Sequence, residues 1–408
     1  MTNLPQGWEV KKLGEIGEIV TGSTPSKSNL DFYGKDYPFF KPSDFEQGYF
    51  LENAGDNLSK LGFDKARQLP PKTILVVCIG SLGKVALTRV IGSCNQQINA
   101  IIPHKNIIAE YIYYYCISSK FQSILFSKAP QTTLAIFNKT EFSKLEIIYP
   151  KDIKEQERIV GILDESFAKI DESIKILEQD LLNLDELMQS ALQKAFNPLK
   201  DNAKENYKLP QGWEWKNLGE IANTSSGGTP SRNKKEYWEN GNIKWLKSGE
   251  LNDGYIDFIE ENITEEAIKN SSAKIFQKGT LLIAMYGATA GKLGILNLDS
   301  ATNQAICAFL HKDKNIKFLE KFLFYFLFFL RDKIIKDSFG GAQPNINQTY
   351  IKNLQIPLPP IKEQEQIASH LDELSSHVKN LKQNYQAQIK DLQELKNSLL
   401  DKAFKGNL

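Results

Sequence analysis

The sequence predicts an α+β protein with two duplicated, mixed α/β globular units separated by two long helices, which pair as an antiparallel coiled coil. Two observations lead to this fold class. Residues 153–196 carry an uninterrupted apolar heptad pattern, and the first half of the chain returns in the second half at an offset of 205 to 209 residues. A period this long with only two copies is typical of a duplicated domain rather than a solenoid.

The first long helix is predicted over residues 151–197. Between residues 153 and 196 it contains no Pro and no Gly after Gly161, and its apolar residues recur in alternating steps of four and three. At about 1.5 Å per residue this helix would be on the order of 65 Å long, so its apolar seam needs a partner. The interface residues predicted on this helix are Phe167, Ile170, Ile174, Leu177, Leu181, Leu184 and Met188.

The chain supplies that partner in a second long helix, predicted over residues 361–408. It begins with IKEQEQI where the first begins with IKEQERI, and both end in Lys-Ala-Phe, at a constant offset of 208 residues. Two unrelated amphipathic helices would not share both ends at one offset. The interface residues predicted on this helix are Val378, Leu381, Tyr385, Ile389, Leu392 and Leu399.

Antiparallel pairing is favoured because parallel helices would require the chain to return along most of the first helix before the second begins. The polar linker expected at residues 198–208 reaches only roughly 40 Å when extended. Antiparallel pairing places one globular unit at each end of the helical rod. The repeat also matches the N-terminal segment with residues 207–213, which follow the first helix. The N-terminus is therefore expected near the end of the second helix, in a pseudo-two-fold and nearly circular molecule.

The globular units are predicted at residues 1–150 (head 1) and 209–360 (head 2). Short apolar runs bounded by Gly, Pro or Lys predict strands, and aromatic-rich stretches predict helices. In head 1 the strands are predicted at 73–79, 85–90, 97–102 and 144–149, with a helical stretch at 107–126. In head 2 they are predicted at 280–285, 293–297, 305–310 and 353–358, with a helical stretch at 316–336.

The composition excludes several classes of protein. The 408 residues carry a net charge of +1, so any surface that binds nucleic acid must be local. Four cysteines without CxxC spacing indicate buried thiols in a reducing cytoplasm rather than a zinc site. The N-terminus lacks the apolar run of a signal peptide, and the most apolar window, residues 322–330, is about half as long as a bilayer span. A cytoplasmic protein is expected.

No catalytic constellation stands out in the sequence. The stretch from Gly287 to Lys292 is one residue short of a phosphate-binding loop, and Leu293 replaces the hydroxyl that would bind a metal ion. Its counterpart, from Gly80 to Lys84, is shorter still, so a tight turn that presents a lysine is favoured. The four histidines are too scattered for a metal site. We therefore expect a non-catalytic protein with no metal.

Polar, amide-rich loops are the remaining feature. Asn and Gln side chains read adenine bidentately in the major groove, whereas Lys and Arg contact phosphates or guanine. The alternative is that these Asn, Gln and Gly residues only build turns. The candidate DNA-binding residues are Lys41, Lys84, Asn95, Gln96, Gln131, Asn138, Lys139, Lys247, Lys292, Asn303, Gln304, Gln343, Asn345, Asn347 and Gln348.

Over essentially its whole length the chain resembles the DNA-specificity subunits of type I restriction-modification systems. The resemblance rests on the tandem Leu-Pro-x-Gly-Trp starts, the Thr-Pro-Ser stretches, and the Asn-Gln pair at Asn303 and Gln304. It also rests on the Glu-Gln-x-x-Ile pattern that follows Pro150 and Pro359 into each long helix. The resemblance implies that the heads are target recognition domains, each reading one half of a bipartite, asymmetric DNA site.

The resemblance also implies partners. The helices would set the distance between the half-sites and dock two methyltransferase subunits, which carry S-adenosylmethionine. Restriction subunits would join the complex and cut DNA with ATP and Mg. This chain would bind double-stranded DNA and hold no cofactor of its own.

The internal repeat separates shared positions from those that differ. Residues identical in both heads cannot distinguish two half-sites, so Thr24, Pro25 and Trp8, with Thr229, Pro230 and Trp213, are interpreted as fold or docking positions. Lys84 and Lys292 suit phosphate contacts. Base specificity is expected at residues 41–47 against 247–253, and at 130–139 against 341–348. The runner-up function is a non-catalytic scaffold whose two heads bind proteins across a coiled-coil rod.

Overall fold

The structure is a computed structural model that describes residues 4–128, 136–196, 209–312, 317–337 and 346–408. The expected linker at residues 198–208 lies outside the described residues. The chain forms two compact units, residues 1–178 with 385–408 and residues 179–384. The first unit therefore contains head 1, and the second contains head 2.

Head 1 combines short strands with short helices, as the mixed α/β prediction requires. Its strands are β1 (Trp8–Lys12), β2 (Gly17–Thr21), β3 (Tyr33–Phe40), β4 (Phe50–Leu51), β5 (Asp56–Leu58), β6 (Ile74–Val77), β7 (Val85–Thr88), β8 (Ser93–Cys94), β9 (Ile98–Pro103) and β10 (Glu146–Pro150). Its helices are α1 (Leu13–Ile16), α2 (Lys60–Lys65), α3 (Ala109–Ile117), α4 (Ser119–Lys128) and α5 (Lys139–Ser143), and the first long helix, α6 (Ile153–Phe196), follows.

The core of head 1 is a five-stranded sheet in the order β2-β9-β6-β7-β4. Strand β6 is buried along its whole length, because its alternate residues face two different apolar clusters. Ile74 and Val76 pack with the aromatic residues of α3, whereas Leu75 and Val77 pack with Phe40 and Leu51. A strand covered on both faces explains why the sequence shows a continuous apolar run there rather than an alternating one.

Head 2 repeats this plan. Its strands are β11 (Glu214–Asn217), β12 (Ala222–Ser226), β13 (Ile243–Leu246), β14 (Gly254–Ile256), β15 (Asn262–Ile263), β16 (Ile275–Phe276), β17 (Leu281–Ala284), β18 (Leu293–Leu296), β19 (Ser300–Thr302), β20 (Ile306–His311) and β21 (Gln355–Leu358). Its helices are α7 (Leu218–Ile221), α8 (Glu265–Lys269), α9 (Glu320–Lys336) and α10 (Gln348–Asn353), and the second long helix, α11 (Ile361–Ala403), follows.

The five-stranded sheets of the two heads correspond strand for strand, whereas another sheet has three strands in head 1, β5-β3-β8, and four in head 2, β15-β13-β19-β16. The five-stranded sheet of head 2 has the order β12-β20-β17-β18-β14, and in both heads the last strand, β10 or β21, pairs with the first, β1 or β11. The strands predicted from apolar runs are confirmed. The helical stretch predicted at residues 107–126 is interrupted at Ser118, which has an extended backbone and donates its hydroxyl to Tyr115 O at 2.6 Å.

Within each unit the segments of the two long helices run antiparallel. In the first unit Asp171 pairs with Lys396, and Arg158 donates to the carbonyl of Leu408 at 3.0 Å, so the chain directions oppose. In the second unit Asp185 pairs with Lys382, while Leu192 lies in the same apolar cluster as Leu371. The predicted antiparallel pairing is confirmed inside each unit.

The expected proximity of the N-terminal segment to the end of the second long helix is confirmed for the described residues from Leu4 onward, which lie in the first unit with residues 385–408. Trp8 packs against the apolar cluster that contains Ala403 and Phe404. A Cβ placed on Gly406 would lie only 2.4 Å from Cγ of Pro5. The end of α11 therefore contacts the first residues of head 1.

The predicted coiled-coil residues of α6 are all buried or half-buried. On α11 the same holds for Val378, Tyr385, Ile389, Leu392 and Leu399, but the prediction for Leu381 is wrong, because this side chain is 39% exposed. The heptad step of four after Val378 leads instead to Lys382, which is partly buried. Lys382 and Lys396 lie 208 residues after Ile174 and Met188, so the repeat register places two lysines on the seam of α11.

Candidate nucleic-acid interface

One end of the five-stranded sheet in head 1 gathers most of the candidate DNA-binding residues. The turn after β6 meets the loop before β9, because the N–H of Cys78 donates to Gln97 O at 2.7 Å. The segment before α5 joins them, because the N–H of Phe137 donates to Cys78 O at 2.8 Å. Lys41 lies beside them, since the preceding Phe40 accepts a hydrogen bond from Asn95 N at 3.1 Å. We call residues 22–26, 41, 79–84, 94–97 and 136–139 the loop end of head 1.

Head 2 assembles the equivalent surface from equivalent contacts. The N–H of Met285 donates to Ala305 O at 2.7 Å, and the N–H of Ile346 donates to Met285 O at 2.7 Å. The N–H of Asn303 donates to Leu246 O at 2.9 Å, which brings the following Lys247 alongside. Residues 227–231, 247, 285–292, 302–305 and 346–348 form the loop end of head 2. Gln131, Gln343 and Asn345 lie outside the described residues.

A glycine in each loop end allows the Thr-Pro-Ser stretch to approach the amide loop closely. A Cβ on Gly22 would lie 2.1 Å from Asn95 O, and one on Gly227 would lie 2.0 Å from Thr302 O. The approach lets Thr24 donate its hydroxyl to Gln96 Oε1, and Thr229 donates in the same way to Gln304 Oε1. These shared contacts support the interpretation of both threonines as fold positions.

Several candidate amides have local structural roles. Asn138 accepts the N–H of Glu141 at 2.9 Å and caps α5, and Asn347 accepts the N–H of Tyr350 at 2.8 Å and caps α10. Asn95 is buried and donates to Gln97 Oε1 at 2.8 Å. Gln348 Oε1 accepts a hydrogen bond from the Thr224 hydroxyl at 2.9 Å. The turn-building alternative therefore accounts for part of the amide pattern, and the exposed Gln96 and Gln304 remain the amides best placed for a ligand.

The glycine-lysine stretches form the predicted tight turns, one between β6 and β7 and one between β17 and β18. Gly80, Gly83, Gly287 and Gly291 all have a positive φ, between 80° and 89°, which favours glycine. In each head a helical side chain holds the second glycine: Gln122 donates to Gly83 O at 2.9 Å, and Arg331 donates to Gly291 O at 3.0 Å. The lysine that follows is thus presented by a fixed turn.

The two turn lysines differ in their electrostatic surroundings. Lys84 pairs with Glu46, and the hydrogen bond from this lysine lowers the pKa of the Glu46 carboxyl. In head 2, Arg331 instead pairs with Asp253, and Lys292 is exposed. No carboxylate within the described ranges lies at ion-pairing distance from Lys292 or Lys139. These two lysines are therefore the most available cations of their loop ends.

Arg232 is a candidate that the sequence interpretation missed. Its guanidinium lies 3.7 Å from the ring centre of Trp238 and pairs with Glu261 at 2.7 Å, and Lys247 pairs with the other oxygen of Glu261 at 2.8 Å. Burial raises the pKa of Glu261, but the hydrogen bonds from Lys247 and Arg232 outweigh it and hold that pKa below its usual value. At the corresponding place in head 1, Lys41 pairs with Asp56.

The sequence interpretation also missed the structural role of the glutamine in each Glu-Gln-x-x-Ile pattern, which is buried and joins its head to its long helix. Gln156 accepts the N–H of Ile108 at 2.9 Å and donates to Pro150 O at 2.9 Å. Gln364 accepts the N–H of Leu319 at 2.8 Å and donates to Pro359 O at 2.9 Å. We call these contacts the head–helix clamps. The signal that could have revealed them is a glutamine repeated at one offset in an otherwise exposed first helical turn.

The described part of the chain contains no candidate metal site and no candidate membrane-spanning helix. No group of three or more His, Cys, Asp or Glu side chains there could hold a metal ion. Among the same residues, no helix is both long and apolar enough to cross a membrane.

Comparison with known proteins places the chain among relatives of one kind. A family model described as the type I restriction modification DNA specificity domain matches residues 5–181 and 210–391. The type I restriction enzyme MjaIX specificity subunit of Methanocaldococcus jannaschii is 26% identical over 419 residues, which covers 99% of this chain and 94% of the relative. The HindI specificity subunit of Haemophilus influenzae is 37% identical over 186 residues, which covers 44% of this chain and 40% of the relative.

Solved structures show the same fold. One comes from a study titled as the structural basis of complex assembly and conformational transition of the type I R-M system. It covers 100% of both chains with a TM-score of 0.81 and 22% identity. The HsdS subunit from Thermoanaerobacter tengcongensis covers 99% of this chain and 98% of its own, with a TM-score of 0.61 and 22% identity.

Proposed function

The chain belongs to the family of type I restriction-modification DNA specificity subunits, and from this we propose that each head reads one half of a bipartite, asymmetric DNA sequence. A specificity subunit is a non-catalytic part of its system, and the alternative of a protein-binding scaffold is not favoured. The observation that carries the proposal is the pair of loop ends. Equivalent strands bring lysines and amides together in both heads, while the surrounding side chains differ.

The shared side chains suit contacts that do not depend on sequence. Lys84 and Lys292 follow fixed turns at equivalent positions, and a cation presented in this way neutralises a DNA phosphate. Gln96 and Gln304 accept from a threonine through Oε1, so their Nε2 groups can donate to the DNA backbone. Contacts of this kind position the duplex on each head alike.

Base reading belongs to the side chains that differ between the heads. Head 2 presents Arg232 and Lys247 around Glu261, whereas head 1 presents Lys41 with Asp56. The Arg232 guanidinium lies over the Trp238 ring, and an arginine can donate two hydrogen bonds to the edge of a guanine. The residues at 136–139 and 346–348 follow segments of unlike sequence and add a second difference. Each head would then select its own half-site.

The long helices and the partners complete the proposed function. The helices would set the number of base pairs between the half-sites and dock two methyltransferase subunits, which supply S-adenosylmethionine. Restriction subunits would act through the same complex with ATP and Mg. This chain would hold no cofactor and would meet double-stranded DNA in the cytoplasm.

The test is methylation by the assembled complex. Purified with its methyltransferase partner and S-adenosylmethionine, the chain should direct adenine methylation to one split sequence, with an affinity for DNA that falls steeply with salt. The matched control is the same reaction without the partner, which should give no methylation. Methyl transfer by this chain alone, or methylation at a continuous site, would contradict the proposal.

A further inference from the structure

Building on the proposed function, we propose that Gln156 and Gln364 are positioning residues that restrict the complex to one spacer length. Each would do so by fixing the angle of its own head on its long helix. The inference starts from their burial: Gln156 is 0% exposed and Gln364 is 1% exposed, although each lies in the first turns of a helix whose neighbouring residues are mostly exposed.

Each buried amide joins three separate segments of its unit. Gln156 lies on α6, accepts from Ile108 just before α3, and donates to Pro150 at the end of β10 and to Asn106 O at 3.4 Å. Gln364 reproduces every contact, with Lys317 O at 3.4 Å in the place of Asn106. A buried donor or acceptor left without a partner is costly. The observed orientation of the head on its helix satisfies the amide, and a tilt of the head would stretch or break these hydrogen bonds.

A second polar contact reinforces each clamp from the next turns of the long helix. Tyr114 of α3 donates its hydroxyl to Asp164 at 2.5 Å, and Tyr325 of α9 donates to Asp372 at 2.7 Å. The two aspartates lie 208 residues apart, as the repeat requires. Each tyrosine is the sixth residue of its helix, so donor and acceptor are repeated together in the two heads. Retention of the contact in both heads indicates a task common to both.

The clamp lies at the opposite end of the sheet from the loop end, and one strand connects the two. Strand β9 starts next to the amide loop of residues 94–97 and leads to the clamp at residues 106–108. Strand β20 connects the corresponding regions of head 2. Six residues of strand span about 20 Å. A tilt of about 10° at the clamp would therefore move the loop end by about 3.5 Å, close to the rise of one base pair.

Because the clamp is the same in both heads, its loss should change the accepted spacer length rather than the bases that each head recognises. Gln156 and Gln364 make the same contacts in both heads, so they cannot distinguish one half-site from the other. A loosened clamp should leave both half-sites unchanged and widen the range of accepted spacers. Substitution of a residue that only stabilises the head should not change the range of accepted spacers.

The experiment compares complexes that carry Gln156→Leu or Gln364→Leu with the unmodified complex. The unmodified site is first established by sequencing the methylated DNA of a host. Binding is then measured on duplexes whose spacer is shortened or lengthened by one base pair. Leucine keeps the volume and burial but makes no hydrogen bond. We expect the preference for the native spacer over its neighbours to fall about tenfold, the equivalent of about 1.4 kcal/mol.

Matched controls separate positioning from general stability. Thr73→Val and Thr280→Val each remove a buried hydroxyl that donates within its own head, to Pro70 O at 2.6 Å and Gln277 O at 2.7 Å. These variants should keep the native spacer preference. Where a leucine variant does not fold, Tyr114→Phe or Tyr325→Phe is used instead. Each keeps the ring and deletes only the hydroxyl that donates to Asp164 or Asp372. Each should also weaken the preference for the native spacer.

The outcomes are distinct. A spacer preference as sharp as that of the unmodified complex in both the leucine and the phenylalanine variants would overturn the inference. Equal relaxation in the threonine controls would overturn it as well. If the unmodified complex showed no bipartite site, the proposed function would fail first, on separate data.

Discussion

The two heads share a framework but fill it with different chemistry. On α3 of head 1 the buried aromatic residues are Tyr111, Tyr113, Tyr114 and Tyr115, whereas α9 of head 2 presents Phe322, Phe324, Tyr325 and Phe326. The strand order of the five-stranded sheet, the glycine-lysine turn and the head–helix clamp are nevertheless the same. The fold requires an aromatic surface against the sheet, while the polar groups on those rings are free to change. The shared elements position the heads, and the divergent elements distinguish them.

The largest expected difference between the heads is their response to alkaline pH. Burial raises the pKa of Tyr113 to about 12 and that of Cys78 and Cys94 to about 12. Burial also raises the pKa of Tyr49, Tyr111, Tyr114, Tyr115 and Cys116. In head 2, burial raises the pKa of Tyr325, and it raises that of Tyr350 and Cys307 to about 12. Head 1 therefore buries more groups that resist losing a proton.

The sign of the pH effect follows from proton release on unfolding. Above the unfolded pKa, about 8.5 for Cys and 10 for Tyr, the unfolded chain loses protons that the folded chain keeps, so stability falls as the pH rises. Each group contributes about 1.4 kcal/mol per pH unit until its folded pKa is reached. We expect head 1 to unfold first on titration between about pH 10 and 12.

Two optical signals would follow this titration. Tyrosine ionisation, measured by absorbance, should rise cooperatively before most of the tryptophan fluorescence changes, because four of the five tryptophans lie in head 2. The control is the same titration in denaturant, where all tyrosines should ionise without cooperativity. A change in most of the tryptophan fluorescence at the lower pH would contradict the comparison.

A smaller loss of stability, confined to one head, is expected when the glycine at a loop end is substituted. Gly22→Ala and Gly227→Ala each place a Cβ about 2 Å from a backbone carbonyl, and overpacking of this kind costs about 1–3 kcal/mol. Each variant should destabilise its own head and leave the other unchanged, measured by thermal unfolding with head-specific proteolysis. Gly161→Ala is the control, because nothing lies within 4 Å of its Cβ and alanine is favoured in a helix. Equal loss in both heads from either single variant would contradict the independence of the loop ends.

The smallest expected effect is a loss of DNA affinity when one of the two turn lysines is substituted. Lys292→Ala should weaken DNA binding and lower the slope of log affinity against log salt by about 1, since it removes one phosphate contact. Lys84→Ala should have a smaller effect, because Glu46 already pairs with that lysine. Lys169→Ala, which removes an exposed lysine paired with Glu165 on α6, is the control. Binding isotherms at several salt concentrations measure all three, and a larger effect for Lys84→Ala would reverse the comparison.

The repeat and the heptad pattern made the architecture predictable. The long helices and the buried strands around β6 and β17 follow from apolar spacing, and the antiparallel pairing in each unit follows from the short linker between the repeats. Strands β1 to β5, before residue 73, were not predicted: β1 to β3 lack a continuous apolar run, and β4 and β5 have only two and three residues. Short strands of this kind leave no periodic signal.

The candidate site was predictable in position but not in contacts. The sequence placed lysines and amides in loops that the structure brings to one end of each sheet. Asn138 and Asn347 cap helices through residues three positions on, a local pattern that their interpretation as base-reading amides overlooked. The ion pair of Arg232 with Glu261 joins residues distant in sequence and leaves no local signal. Leu381 was misplaced because the apolar residues of α11 do not keep the register that the repeat imposes, and Lys382 takes the seam position.

The division of labour between the heads is tested most directly by a chain that carries head 1 twice. Replacing residues 209–360 with residues 4–152 keeps both long helices and their repeat register. The methylated DNA of a host that expresses this chain with its methyltransferase partner is then sequenced. The account predicts a split palindrome, in which the half-site of head 1 appears in both arms. Persistence of the half-site that belongs to head 2, or retention of the original asymmetric sequence, would contradict it.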